Sequence, residues 1–352
     1  MSSKPIADRP IRAAVVGCGR VSRIAHYDAI KGDPNFELAA VCDIDKARAD
    51  EWSRKNNARA YYSIEELLDS ETLDLVSINV PNGLHPTVAA KAAARGVNIL
   101  SEKPLGMRLD EVDELIKLCD EKGVRLFTVL QNRFNATNQL LKRAVEGGRF
   151  GKMMMVNVTM RWWRDLNYYT EDNGWRSKRD MAGGAFTNQA VHYIDTMQWL
   201  VDAPAELCFA SMDTQIHPVE VETHGSAVIN FRHGTIGSLN LTSVHFPEDR
   251  EGSITLLGEK GTVKVGGKSM NKILEWDFAK PDAEQDALAR GSDYEPPTVY
   301  GFGHQEMYRR IGRVLRGEKG VDVPDGREGR KSVALLNALY ASARSHQPVK
   351  VS

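Results

Sequence analysis

The sequence predicts an α/β protein in two parts: a doubly wound parallel sheet over 1–130, then an α/β domain over 131–352 with an open, mostly antiparallel sheet. Three observations carry this. Strand-like and helix-like segments alternate about six times before residue 130, and right-handed crossovers turn such alternation into parallel pairing. The strand segments there are short, unbroken apolar runs, as in strands covered on both faces. Beyond Gln131 the strands alternate apolar with polar residues and follow one another through short turns, as antiparallel neighbours do.

In order, IRAAVV over 11–16 is the first strand and stops at Gly17. A helix over 21–30 follows, then a turn at Lys31-Gly32-Asp33-Pro34 and a second strand over 36–42, FELAAVC, ending at Asp43. A helix near 46–55 and a short strand over 60–62 come next. Ser63-Ile64-Glu65-Glu66 sets a serine three residues before a glutamate, a capping box that opens another helix. LDLVSINV over 73–80 is a buried strand. The Ala-rich helix over 85–95 closes at Gly96, the residue type suited to the position after a helix. A strand over 97–100, a helix over 110–121 closed by Gly123, and a strand over 125–130 complete this half.

The second half opens with a helix over 137–146 that ends in Gly147-Gly148. Residues 153–161 alternate like a strand with one wet face. A loop rich in arginine and aromatic residues spans 161–179, and a helix over 184–200 follows Gly183-Gly184. Five β segments come next, at 207–216, 225–231, 235–243, 252–258 and 261–265. The polar, turn-rich stretch 280–297 is expected to be a surface loop. Helices over 304–316 and 329–345 close the chain.

At ~150 residues per domain, 352 residues make about two domains, each able to bury a core without covalent staples. Forty-six Lys+Arg against 47 Asp+Glu leave a net charge of −1, which argues against nucleic-acid binding, where a basic excess is normal. No apolar run approaches the ~18 residues of a membrane span, and MSSKPIADRP has no apolar signal core. Cys18, Cys42, Cys119 and Cys208 are widely spaced, as reduced thiols in a cytoplasm are. A cytoplasmic protein with no membrane partner is expected. His217, His224, His233 and His245 show no repeated ligand spacing and read as surface or loop residues, so no metal is expected.

Gly17-Cys18-Gly19-Arg20-Val21-Ser22 is a GxGxx(G) fingerprint with serine in the third, small position. Gly17 permits the tight turn, and Gly19 lets a pyrophosphate approach the backbone at a helix N-terminus. The motif follows a strand, opens a helix and precedes a strand ending in Asp43, the context of a Rossmann dinucleotide site. Asp43 can accept both ribose hydroxyl protons and would repel a 2′-phosphate, so NAD is favoured over NADP. A cap on the next helix is its alternative role. Asn79-Val80-Pro81-Asn82-Gly83-Leu84-His85 and Ser101-Glu102-Lys103-Pro104-Leu105-Gly106 fall at the carboxyl ends of later strands, where open α/β sheets bind ligands. The expected cofactor set is Gly17, Gly19, Arg20, Val21, Asp43, Asn79, Pro81, Asn82, His85, Glu102, Lys103 and Gln131.

GCGRVS, Asp43, NVPNGLHPTVAAKAAARGVNILSEKPL and GGAFTNQAVHYID together resemble the glucose–fructose oxidoreductase, inositol dehydrogenase and MocA family over nearly the whole chain. The resemblance implies hydride transfer at a sugar or polyol carbon, with Lys103 beside the nicotinamide and His192 reaching the reacting hydroxyl. The residues themselves place Asn188, His192 and Asp195 at i, i+4 and i+7, on one face of the predicted helix. Many relatives carry Asp where this chain has Asn188. An asparagine can orient a ligand but cannot act as a base. Proton removal then falls to His192, with Lys103 stabilising the alkoxide as a cation, or the two roles are reversed. Lys103, His192 and Asn188 are the expected catalytic set.

A narrower resemblance rests on LQNRFNATNQLLKRAVEGGRFGK, RWWRDLNYYTEDNGWR, NQAVHYIDTMQWL and GREGRKSVALLNALYASAR. These resemble the NAD-dependent UDP-N-acetyl-2-amino-2-deoxyglucuronate 3-dehydrogenases of bacterial surface-polysaccharide pathways, lipopolysaccharide among them. The resemblance implies oxidation of the C3 hydroxyl of UDP-GlcNAcA, a partner aminotransferase, NADH recycling by 2-oxoglutarate, and a homodimer or homotetramer. Trp163 departs from the subgroup, where a smaller residue is usual. Arg161, Arg164 and Arg176 suit a diphosphate or uronate, and Trp162, Trp163, Tyr168, Tyr169 and Trp175 suit uracil or sugar faces. The same loop composition fits an oligomer interface equally well. The expected substrate set is Arg161, Arg164, Tyr168, Trp175, Arg176, Asn188, Gln189 and His192. The competing readings are an inositol or free-sugar dehydrogenase and a non-catalytic NAD-binding regulator.

Overall fold

In a computed structural model, residues 5–267, 269–296 and 301–352 are described, in two compact units. One comprises the chain up to Gln131 with Phe302–Arg330; the other comprises Asn132–Gly301 with Lys331–Ser352. The division is thus not a single cut at 130/131, because a late helix, Gly303–Leu315, belongs to the first unit. Its buried Met307, Tyr308, Ile311 and Leu315 form an apolar stripe, and the Tyr308 ring meets Phe36 edge-on at 5.6 Å.

The first unit holds six strands: β1 (Ile11–Val16), β2 (Phe36–Cys42), β3 (Arg59–Tyr61), β4 (Leu75–Ile78), β5 (Asn98–Ser101) and β6 (Leu126–Thr128). Their spatial order is β3-β2-β1-β4-β5-β6, and every pair is parallel. The chain order reverses between β1 and β4, the switch point beside which such sheets bind ligands. Helices Lys46–Asn56, Ile64–Ser70, His85–Ala94 and Leu109–Lys122 connect the strands. Ser63 accepts the Glu66 N–H at 3.1 Å, as a capping box requires. The Glu66 carboxylate, however, reaches back to the N–H of Tyr62, at 3.3 Å. The helix expected over 21–30 is a π-helical turn, Ser22–His26, continuing as Tyr27–Lys31. The wider winding leaves Ser22 and His26 fully buried.

The second unit holds β7 (Met153–Arg161), β8 (Ala205–Asp213), β9 (His224–Phe231), β10 (Ile236–Thr242), β11 (Glu251–Gly258), β12 (Gly261–Gly266), β13 (Lys272–Phe278) and β14 (Val349–Lys350). They form one sheet in the order β13-β12-β11-β7-β10-β9-β8-β14, antiparallel except where β10 runs parallel to β7. Val156, Val158 and Met160 point from β7 into the core, against Ile194, Met197 and Leu200 of helix Val191–Val201 and Leu335 and Leu339 of the closing helix.

Three expectations change here. The edge strand β13, KILEWDF, is an addition to the five β segments expected: its apolar residues Ile273, Leu274, Trp276 and Phe278 do not alternate strictly, and none of them is fully buried. The expected loop 280–297 carries a helix, Ala283–Gly291, capped by Asp282, which accepts the Gln285 N–H at 3.0 Å; Pro297 lies outside the described residues. The expected loop 161–179 carries a helical turn, Leu166–Thr170, capped by Asp165, and a 3₁₀ segment, Asp172–Ser177. Such short pieces fall below the length at which periodicity is legible. No helix among the described residues is long and apolar enough to cross a membrane.

Candidate active site

In the first unit, Gly17 turns the chain out of β1 with φ of +91°, a left-handed conformation that strains any side chain. A Cβ there would also strike the carbonyl of Asn79. Beside Gly19 the space is open: nothing lies within 4 Å of where its Cβ would stand. Ser22 is more than small. Its hydroxyl donates to the Gly17 carbonyl and accepts from the Asn79 amide at 3.1 Å, bracing the glycine turn against the end of β4. Arg20 is exposed and Val21 half-buried at the start of the helix. The Asp43 carboxylate accepts the N–H of Cys18 at 2.8 Å and of Asp45 at 2.9 Å, so it is oriented while part of it stays open to solvent. Asp45, not Asp43, caps the following helix. An open glycine backbone and a fixed carboxylate at the end of β2 fit a dinucleotide with a free ribose diol. Changing Asp43 to Ser should therefore cut the preference for NAD over NADP by about tenfold or more. A kcat/KM ratio for the two cofactors that stays at the wild-type value would remove Asp43 from this role.

The carboxyl end of β5 leads directly into Glu102 and Lys103. Buried Glu102 accepts the Lys103 backbone N–H on Oε2 at 3.1 Å and the His26 Nε2–H on Oε1 at 3.1 Å, and His304 Nε2 lies 3.7 Å away. Nδ1 of His26 meets the Tyr308 hydroxyl at 2.8 Å and the Ser77 hydroxyl at 3.1 Å. Burial opposes charge on Glu102, but the His26 hydrogen bond and the nearby His304 and Lys103 outweigh it and hold the carboxyl well below its usual range. Burial pushes the Lys103 amine down, opposed by the Glu102 charge, and pushes His304 down as well. His26, Glu102 and His304 bring ligand-type atoms within 4.8 Å of one another, and the His26–Glu102 hydrogen bond joins two of the three. His85 is buried between the Pro104 carbonyl at 2.7 Å and the Val80 carbonyl at 2.9 Å, fixing the two loops to each other. Pro81 precedes a 3₁₀ turn, Asn82–Leu84, and Asn82 and Gln131 are buried.

In the second unit, Gly183-Gly184 leads into a π-helical turn, Ala185–Gln189, before the regular helix Val191–Val201. Asn188 therefore sits on the turn and His192 on the helix. The Asn188 and Gln189 amides both donate to the Tyr168 hydroxyl, each at 2.9 Å. The Arg164 and Arg176 guanidinium groups stand over the Tyr168 ring at 5.5 and 5.1 Å, and Arg176 also covers Trp175 at 4.9 Å. Arg164 is bound to Asp249 at 2.9 Å. Arg176 holds Asp172 at 3.1 Å and keeps Nη1 buried without a hydrogen-bond partner among the described residues. Arg161 lies at the exposed end of β7, 3.9 Å from Glu251. His217 is not an idle loop residue: its Nε2 meets the Arg164 carbonyl at 3.0 Å, and its ring lies 5.5 Å from Tyr169.

His192 is half-buried, with its carbonyl accepting the Thr196 hydroxyl at 2.7 Å. Asp195, expected to share its face, is instead held by Arg133 through two bonds of 2.9 and 2.6 Å, both side chains nearly inaccessible. This is a structural ion pair. Glu222, which the sequence did not single out, accepts from the turn itself.

A model described as an oxidoreductase family with an NAD-binding Rossmann fold matches residues 11–130, and one described as the GFO/IDH/MocA C-terminal domain matches 138–264. The WlbA dehydrogenase from Bordetella pertussis, solved with NADH and UDP-GlcNAcA, is 44% identical over 99% of both chains, with a TM-score of 0.94. The WlbA enzyme from Chromobacterium violaceum, solved with the same two ligands, is 41% identical over 99% of this chain and 98% of that one, with a TM-score of 0.92. A myo-inositol 2-dehydrogenase from Thermotoga maritima is 25% identical over 97% of this chain and 98% of its own. The chain belongs to the GFO/IDH/MocA family and is an NAD-dependent dehydrogenase of CH–OH groups.

Proposed function

We propose that this protein oxidises the C3 hydroxyl of UDP-GlcNAcA to the 3-keto sugar with NAD. The observation that carries the reading is the polar group of the second unit. Tyr168 is fixed by the Asn188 and Gln189 amides and flanked by the Arg164 and Arg176 guanidinium groups. A uronate or diphosphate forms charge-assisted, forked hydrogen bonds with guanidinium groups that a neutral polyol does not form. Two proteins of the same length and fold, solved with NADH and UDP-GlcNAcA, support it.

NAD supplies the hydride acceptor when bound. Gly17, Gly19 and Asp43 hold its pyrophosphate and ribose, with the neighbouring expected residues completing the cradle. The reaction removes the hydride from C3 and the proton from its hydroxyl. His192 takes that proton, while Lys103 as the ammonium stabilises the alkoxide forming on the oxygen. A lysine amine depressed by burial also serves the reverse assignment, and the Lys103 variants discussed below separate the two. Asn188 orients the sugar. The 3-keto product suits amination by a partner aminotransferase on a surface-polysaccharide route, and 2-oxoglutarate reoxidises NADH by becoming 2-hydroxyglutarate. Four free, buried cysteines accord with a reducing cytoplasm. Self-association as a dimer or tetramer is part of this reading. It is supported by the open sheet face, where Phe209 and Val228 pair across strands while 44% and 49% exposed. UDP-GlcNAcA deuterated at C3 should pass its deuterium to NADH; retention of the label in an oxidised product would move the reaction to another carbon.

A further inference from the structure

Glu222 lies just before β9, where no motif draws attention to it. Its carbonyl accepts the Ala185 N–H at 2.9 Å, and its Oε1 accepts the Phe186 N–H at 3.0 Å and the Tyr340 hydroxyl at 2.7 Å. The Tyr340 oxygen in turn accepts the Gly184 N–H at 3.3 Å and the Thr187 hydroxyl at 2.8 Å. The Glu222 carboxylate and the Tyr340 phenol thus satisfy three donors of a single turn, and the Glu222 backbone carbonyl a fourth; two of the four, on Ala185 and Phe186, are N–H groups at a helix start that have no intrahelical partner. The geometry also explains Gly184, since a Cβ there would fall on the Glu222 carboxyl group. Burial drives this carboxyl up to about 7 despite those hydrogen bonds, so the site keeps an acid where an uncharged acceptor would cost less to bury. The next two residues of the turn are Asn188 and Gln189, which carry the Tyr168 hydroxyl. His192 stands beyond, on a helix anchored separately through Asp195 and Arg133.

We propose that Glu222, seconded by Tyr340, is a positioning residue for substrate binding: it clamps the Gly184–Thr187 turn and so sets Asn188, Gln189 and Tyr168 against the sugar nucleotide. The proposal rests on the functional reading above for the ligand, but not for the clamp. Since the clamp governs the binding turn rather than the helix of His192, its loss acts on ground-state affinity.

Three variants test it: Glu222→Ala, Glu222→Gln and Tyr340→Phe. Glu222→Ala should raise KM for UDP-GlcNAcA about tenfold or more while kcat falls far less and NADH affinity is unchanged. Glu222→Gln keeps an acceptor at Oε1 and should restore KM to within about threefold of wild type; Tyr340→Phe should give a smaller rise. Hydrogen exchange of the Phe186 amide, whose acceptor is the Glu222 side chain, reads the clamp without substrate and should be fast in Glu222→Ala but slow in Glu222→Gln. Unchanged exchange in Glu222→Ala overturns the clamp, whatever the substrate proves to be. Fast exchange with an unchanged KM overturns its role in binding. Wild-type protein that fails to turn over UDP-GlcNAcA sinks the functional reading, while the exchange data still decide the clamp. Should Glu222→Ala not fold, Tyr340→Phe carries both readouts, with exchange read at the Gly184 amide that Tyr340 accepts.

Discussion

Replacing Lys103 with alanine should lower kcat by about 10²–10⁴-fold while NADH remains bound, the loss expected when a group that handles the reacting proton or alkoxide is removed. The residue is well placed for such work. Its backbone N–H is pinned by Glu102, whose carboxylate is fixed by His26, and its amine lies in surroundings that push its pKa down. Arginine separates the two roles, because a guanidinium keeps its charge and cannot serve as a base. If Lys103 acts as a cation, Lys103→Arg retains part of the activity that Lys103→Ala loses; if it acts as the base, both are equally inactive. In wild type the Lys103 limb of the kcat–pH profile should fall below the ordinary lysine range near ~10.4. Turnover by Lys103→Ala at the wild-type rate, read from NADH absorbance, would remove this residue from the chemistry.

The second large effect is on stability. Removing one partner of a buried ion pair strands the other charge, at a cost of about 3–5 kcal/mol. Asp195→Ala should therefore destabilise the second unit by about that amount, leaving Arg133 buried beside the Trp199 ring, 5.7 Å away, without its carboxylate. Replacing both partners together with apolar residues of similar volume should recover most of the loss. Urea unfolding checks both. A change of less than about 1 kcal/mol for Asp195→Ala would mean that the pair is solvated rather than buried.

The cofactor half was legible because its chemistry is local. Gly17, Gly19 and Asp43 sit at the ends of two consecutive strands, and unbroken apolar runs mark strands covered on both faces. Ser22 was read as merely small, because its bond to Asn79 joins segments that only the sheet order brings together. The acid–imidazole cluster was invisible for the same reason: His26 meets Glu102 and Tyr308 across 76 and 282 residues of chain. In the second half the spacing of Asn188, His192 and Asp195 suggested one helix face. The π-helical turn breaks that register, and Arg133 draws Asp195 into the core. Periodicity carries no information about a distant cation. Glu222 went unnoticed because a lone glutamate before a strand has no pattern; Gly184 was its only trace in the sequence.

We propose a nucleotide-linked amino uronate, oxidised by NAD, as the substrate. The most direct test is mass spectrometry of the purified protein incubated with NAD and, in separate reactions, UDP-GlcNAcA, the free amino uronic acid and myo-inositol, each with and without 2-oxoglutarate. UDP-GlcNAcA alone among the three should lose two hydrogens, with 2-hydroxyglutarate appearing when 2-oxoglutarate is present. Oxidation of myo-inositol or the free sugar, with UDP-GlcNAcA untouched, would contradict it.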